Sequence, residues 1–268
     1  MSLKNGIYLP HKITLNGLTE KTDITSLYLD EFGNIWIGTM GKGIYILDPK
    51  TEKYRVFTEN EVFKNASVLS INGRHNSIFA SSLQGVMVVT VSEINKNIAV
   101  PYRFKNYNNS STGTNYVYSI FQDSRNRIWF ATDGRGLTML DNNNFTYYND
   151  SKKINDDHIY SITEDKRGNI WFSTASAGLY KFDGKNFTDY VEKDGLSDLT
   201  VSALKTDSAG NIIKEKKKGL DILDPATGSI TYVNSNQGIG IINAEDLGAI
   251  TLDTAGNVMV STVNGILS

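Results

Sequence analysis

The chain has 268 residues, 40% of them hydrophobic and 21% charged, with a formal net charge of -2. Such a composition suits a globular protein with a sizeable core, and its near-neutral balance gives no electrostatic reason to expect nucleic acid or an anionic membrane surface as partner. With no cysteine and no apolar run near the ~20 residues that cross a bilayer, disulfides, thiolate chemistry and a spanning helix are all excluded.

The first six residues, Met1 to Gly6, lack a signal-peptide apolar region. The sequence therefore reads as one domain, residues 1–268, taken from a larger protein whose targeting information lies elsewhere. Gly6–Leu9 has the pattern of a third strand and Ile13–Leu15 that of a fourth, with no first or second strand before them.

The first full unit follows. Ile24-Thr-Ser-Leu-Tyr-Leu-Asp30 leads through a turn to Asn34-Ile-Trp-Ile-Gly-Thr39, then to a strand opened by Gly43 and a polar fourth strand, Tyr54–Phe57. A shorter copy starts at Val68. The pattern returns at Val117, at Ile159, at Val201 and at Leu247, and the final copy stops within its third strand at Gly265–Ser268. Asp123, Asp165 and Asp207 are 42 residues apart, and Asp253 follows after 46. A period of this size fits a propeller blade of four short strands.

Each position has a physical reason. The first run carries apolar residues at places one and four and a small residue at place three (Ser26, Ser70, Ser119, Ser161, Ala203, Ala249), which suits an inner strand where backbones crowd. The Asp-x-x-Gly-Asn turns follow hairpin chemistry, because Asp bonds the backbone two residues on and Gly or Asn accepts positive φ. Trp36, Trp129 and Trp171 recur at one place of the second strand, which points to packing between blades. The fourth strand alternates with polar residues, as an edge strand should. The expected fold is an all-β propeller of four-stranded blades, six by this count or seven as the alternative, with the N-terminal strands completing the last blade.

The pattern Ile-x-Ser-Ile-x-x-Asp-x-x-Gly-Asn-Ile-Trp-Phe-x-Thr-x-x-x-Gly-Leu, most intact at 159–179, resembles the two-component regulator propeller repeat. That resemblance implies a periplasmic sensor region of a hybrid two-component histidine kinase of Bacteroides type, with the kinase downstream and oligosaccharides as signals. Neighbouring domains of the same sensor, or a second copy forming a homodimer, are the protein partners it implies. A weaker resemblance, through Gly-x-x-Trp-Phe-Thr, runs to streptogramin B lyases, which need a metal and a catalytic His. Here His11, His75 and His158 stand at non-equivalent places, without ligand spacing.

No nucleophile elbow, phosphate loop or metal-binding His motif is present. The sequence therefore points to no catalytic residue, metal or cofactor, and to a binding module or scaffold rather than an enzyme. Lys214-Glu-Lys-Lys-Lys218 replaces the usual second-strand ending in the fifth copy. It reads as a solvated, irregular strand end or, in the sharper reading, as an anion-binding patch.

In a propeller the second-to-third and fourth-to-first connections share one face, and loops that vary over constant blades usually carry function. They hold Met40 and Lys42, Gln84, Asp133 and Arg135, then Asn155, Asp157 and His158, with Tyr116 at another entry. Arg135 and Asp133 would hydrogen-bond sugar hydroxyls and Tyr116 would stack on a pyranose ring.

Overall fold

The computed structural model describes residues 2–4, 7–9, 14–19, 22–57, 63–74, 77–90, 103–107, 112, 116–149, 153–200, 203–216, 219–234, 250–252, 258–262 and 265–267. The described chain is almost entirely antiparallel sheet. A hairpin of β1 (Ser2–Lys4) and β2 (Ile7–Leu9) comes first. Five four-stranded sheets follow. The first comprises β3 (Ile24–Leu29), β4 (Ile35–Thr39), β5 (Ile44–Leu47) and β6 (Tyr54–Val56); the second β7 (Val68–Arg74), β8 (Ser77–Ser82), β9 (Gly85–Thr90) and β10 (Arg103–Tyr107). The third holds β11 (Val117–Gln122), β12 (Ile128–Thr132), β13 (Leu137–Asp141) and β14 (Asn144–Tyr148). The fourth holds β15 (Ile159–Glu164), β16 (Ile170–Thr174), β17 (Leu179–Phe182) and β18 (Phe187–Tyr190), and a short 3-10 turn, Glu192–Asp194, follows it. The fifth holds β19 (Leu204–Thr206), β20 (Ile212–Lys216), β21 (Gly219–Leu223) and β22 (Ile230–Asn234). A sixth sheet has three described strands, β23 (Ile250–Leu252), β24 (Val258–Thr262) and β25 (Gly265–Leu267).

Within every sheet strands pair in sequence order, and the innermost strands β3, β7, β11, β15, β19 and β23 touch one another in succession. That is the arrangement of propeller blades around an axis.

Packing between blades follows the repeat. Trp36 packs with Val68 and Ile71 of the second blade, Trp129 with Ile159 and Ile162 of the fourth, and Trp171 with Leu204 of the fifth. All three indoles are fully buried. Places one and four of an inner strand are therefore the surface that receives the preceding blade's Trp. On β3, the first inner strand of the succession, the same places are open: Ile24 is 50% and Leu27 64% exposed.

The Asp of the first turn does more than turn the chain. Asp165 Oδ1 accepts the N–H groups of Arg167 and Asn169, while Oδ2 accepts from the Asn169 amide and from Trp171 Nε1 at 2.8 Å. Asp30 and Asp123 hold Trp36 and Trp129 in the same way. Burial pushes the Asp165 carboxyl up, but these hydrogen bonds more than offset it and hold the group below its ordinary 3.8.

The small residue at place three also has a specific task. Ser26 Oγ accepts the N–H of Ile71 at 2.8 Å, and Ser161 Oγ accepts that of Leu204 at 3.1 Å. Both bonds run to place four of the next blade's inner strand. Crowding explains why the residue is small; in these two copies the bond explains why it is a serine.

The glycine that opens the third strand is required by a close approach. Gly178 has φ +86° and its α-carbon faces Tyr190 O, which a Cβ would meet at 2.5 Å. At the end of the second strand, Thr39, Thr132 and Thr174 donate their hydroxyls to the carbonyls of Gly43, Gly136 and Gly178. These contacts account for the Thr-x-x-x-Gly spacing.

Two expectations are corrected. Among the described residues the N-terminal strands do not join the last blade: β2 pairs with β1, while β25 pairs with β24 as the third strand that the sequence begins at Gly265. Gly6, Ile13 and Asn257 lie outside the described residues. In both cases a partner a few residues away in sequence closes a smaller loop than the opposite chain end would.

The second correction concerns the fifth blade. β20 runs to Lys216 in regular register with β21, and Lys214 is buried rather than solvated. Its ammonium donates to Asp221 Oδ2 at 3.2 Å and to Asp198 O at 2.6 Å. The side chain thus neutralises an internal carboxylate and is not available to an external anion. Lys217 and Lys218 lie outside the described residues.

Candidate functional site

One end of the inner strands carries the connections that the sequence analysis singled out. The residue after each second strand bonds the residue just before the inner strand: Met40 N to Asp23 O, Asp133 N to Tyr116 O and Ala175 N to His158 O, all at 3.0 Å. The two types of connection are thereby laid side by side on one face. Gly136 N donates to Asp157 O at 2.8 Å, which ties the third blade to the connection entering the fourth.

Between these two blades the side chains form a continuous network. His158 is half-exposed and bridges them. Its Nε2 lies 3.5 Å from Asp133 Oδ1, and its Nδ1 lies 3.1 Å from both Asp156 Oδ1 and Asp157 Oδ1. Asp156 is the anchor: Oδ1 accepts the His158 N–H, and Oδ2 accepts both the N–H and the hydroxyl of Ser176. On the other side of Asp133 lies Tyr118, whose phenol feels the charge of that carboxylate. Tyr118 then meets Tyr160 edge to face, with ring centroids 4.9 Å apart.

The electrostatics follow from these contacts. The Asp156 hydrogen bond, with the charges of Asp157, Asp156 and Asp133 around the ring, raises the His158 imidazole above its ordinary 6.5 against a smaller opposing effect of desolvation. Burial pushes the Asp156 carboxyl up, and its bonds to His158 and Ser176 more than offset this, leaving it below 3.8. Burial first, then the neighbouring Asp133, raises the Tyr118 phenol above 10.0.

Donor atoms of Asp156, Asp157 and His158 lie within 4.8 Å of one another, close enough to hold a cation. Both Asp156 oxygens and the His158 ring already satisfy one another and Ser176, so as it stands the cluster is a hydrogen-bonded brace for the connection.

The remaining residues divide. Tyr116 is 49% exposed beside this network, and Arg135 is exposed on the neighbouring connection. Met40, Lys42 and Gln84 are exposed on the corresponding connections of the first two blades, and no described contact joins their side chains to the network. Asn155 turns elsewhere, its N–H bonding Tyr180 Oη at 3.1 Å. His11 and His75 lie outside the described residues. Sequence reasoning passed over Tyr118, Tyr160, Asp156 and Ser176. A signal for the tyrosines existed: place two of the inner strand holds Tyr in these two copies but Thr25, Leu69, Ser202 or Gly248 in the others.

Repeated four-stranded sheets, stitched through their inner strands, define the chain as a β-propeller. Residues 17–41, 112–134 and 153–176 match the two-component regulator propeller family, so that repeat is recognised at three places along the chain. No curated protein gives a significant match. Among solved structures, the chain is similar to an extracellular domain assigned to a hybrid two component system of B. thetaiotaomicron, with 22% identity over 90% of this chain and 32% of that one, at a TM-score of 0.75. A second such domain from the same organism is 18% identical over 93% of this chain and 42% of that one, with a TM-score of 0.55. A catalytically inactive virginiamycin B lyase from Staphylococcus aureus, solved with quinupristin, is 16% identical over 94% and 86% of the two chains, with a TM-score of 0.67. At these identities the likeness is one of fold. The chain spans less than half the length of the two B. thetaiotaomicron domains. No helix among the described residues is long and apolar enough to cross a membrane.

Proposed function

We propose that the chain is the sensory propeller of a two-component signalling protein, lies in its periplasmic part, and takes an oligosaccharide on the face between the third and fourth blades. The family of its repeats and the fold it shares with extracellular sensor domains support the class. The observation that carries the site is the Tyr118–Asp133–His158–Asp156 cluster, with Tyr116 and Arg135 exposed on the same connections. Aromatic faces and charged hydrogen-bonding groups together suit a hydroxyl-rich ligand. No chemical step is assigned, because the network's acids and its imidazole are engaged with one another. Neighbouring domains of the same protein, or a second copy, would receive the signal.

Calorimetric titration with a panel of neutral oligosaccharides, comparing the parent with Arg135→Ala and Tyr116→Ala, tests the site. Affinity should fall in both variants. Binding that neither change affects, or that maps to the Asp30 and Asp165 turns, would refute it.

A further inference from the structure

A cavity of about 460 Å³ opens on the flank of the fourth blade and shares no lining residue with the network above. Its size lies in the range of small-molecule sites. The floor is the β17–β18 hairpin, where Tyr180 pairs with Asp189 and Phe182 with Phe187. Phe187 stacks on Phe182 at 4.6 Å and is half-buried, so its ring is fixed as part of the wall. One rim is the connection entering the blade, with Lys153 and Asn155; the other is the hairpin turn, with Lys185.

Among the described residues, the charges at this cavity are uncommitted. Neither the Lys153 nor the Lys185 ammonium has a hydrogen bond or ion pair among the described residues, and the Asp189 carboxylate has none either. Two other lysines of the fourth and fifth blades are occupied: Lys214 is paired with Asp221, and Lys181 lies over the Trp171 ring at 5.8 Å. Two cations and one anion leave the cavity with a net positive charge around a rigid aromatic wall. An anionic group can sit between the ammoniums. Hydroxyls can bond Asp189 and the Asn155 amide, and an apolar ring face can lie on Phe187.

We propose that this cavity binds a small carboxylated polyol, of the size of an acidic monosaccharide. The proposal stands apart from the ring-face reading, because it uses neither Tyr116 nor Arg135.

The test is calorimetric titration of the whole chain with D-glucuronate, D-glucose and inorganic sulfate, repeated on a Lys153→Ala/Lys185→Ala variant and on Arg135→Ala. Both lysines are exposed, so the double variant should keep the parent's circular dichroism. Glucuronate should bind at least tenfold more tightly than glucose or sulfate, weaken at least tenfold in the double variant, and be unchanged in Arg135→Ala. No binding of glucuronate, equal binding of glucose, or an unaltered double variant would overturn the proposal. Sulfate binding as tightly as glucuronate would overturn it too, since the lysines would then form an anion patch without sugar recognition.

Discussion

Replacing Lys214 by Ala should destabilise the domain by about 3–5 kcal/mol, the range for removing one partner of a buried ion pair. The structure says why the cost falls at the high end. Side chains of Lys214 and Asp221 are each 1% exposed. Without the ammonium, Asp221 Oδ2 keeps only the Ser197 N–H at 3.3 Å, while Oδ1 has no hydrogen-bond partner even in the parent. A buried carboxylate would be left almost uncompensated. The neighbouring blade supplies the complementary experiment. Lys214 pairs across the sheet with Asp221 as Phe172 pairs with Tyr180, and those two rings stack with centroids 5.3 Å apart. Asp221 takes the Ser197 N–H as Tyr180 takes that of Asn155, so each third-strand residue fastens the connection entering its blade. Lys214→Phe combined with Asp221→Tyr transplants the fourth blade's solution. Replacing a buried pair by apolar groups is often neutral or stabilising by about 1–4 kcal/mol. Urea unfolding followed by tryptophan fluorescence gives both values. A Lys214→Ala variant within about 1 kcal/mol of the parent, or a double variant less stable than Lys214→Ala, would refute the reasoning.

Trp171→Ala should cost about 3–5 kcal/mol in the same assay, because the indole is fully buried between blades; an unchanged midpoint would mean the residue is exposed. Ser161→Ala removes the acceptor of the Leu204 N–H and should cost about 1–3 kcal/mol, the penalty of an unsatisfied buried donor. Equal stability would show that small size alone is required there. The His158 imidazole should titrate above 6.5 by NMR, and Asp156→Asn should lower that midpoint. A raised folded value favours the protonated form, so its small stabilising effect is full below the unfolded value and is lost as pH rises through the folded one. A His158 midpoint at or below 6.5 would contradict the network.

Blade architecture was legible because the repeat states it several times. A 42-residue spacing, recurring Trp and strand-opening Gly each have one structural solution, and the structure uses it. The bonds inside the motif were less legible. Asp and Trp stand six apart at 30 and 36, at 123 and 129, and at 165 and 171, yet turn chemistry alone accounts for the Asp, so nothing forces the link from carboxylate to indole. Crowding alone likewise accounts for the serine at place three. One sufficient cause conceals a second. The fifth copy misleads in the other direction: a lysine-rich run is ordinarily solvated, and Lys214 is internal only because Asp221 faces it across the register.

Those particulars also explain what the sequence could and could not indicate about the ring face. Which connections share the face follows from strand direction, so the sequence alone groups Tyr116, Asp133 and His158. Which side chain anchors the group does not follow from it. Asp156 and Asp157 are adjacent and chemically identical, but Asp157 is fixed through its carbonyl to Gly136 and keeps a half-exposed carboxylate beside the His158 ring, whereas Asp156 turns inward to Ser176. Asn155, one residue earlier, turns to the flank through Tyr180. Four consecutive residues thus serve two surfaces, and the choice is made by partners that lie about 20 to 25 positions away. Period and composition fix where a connection lies; the direction of each of its side chains depends on the blades it joins.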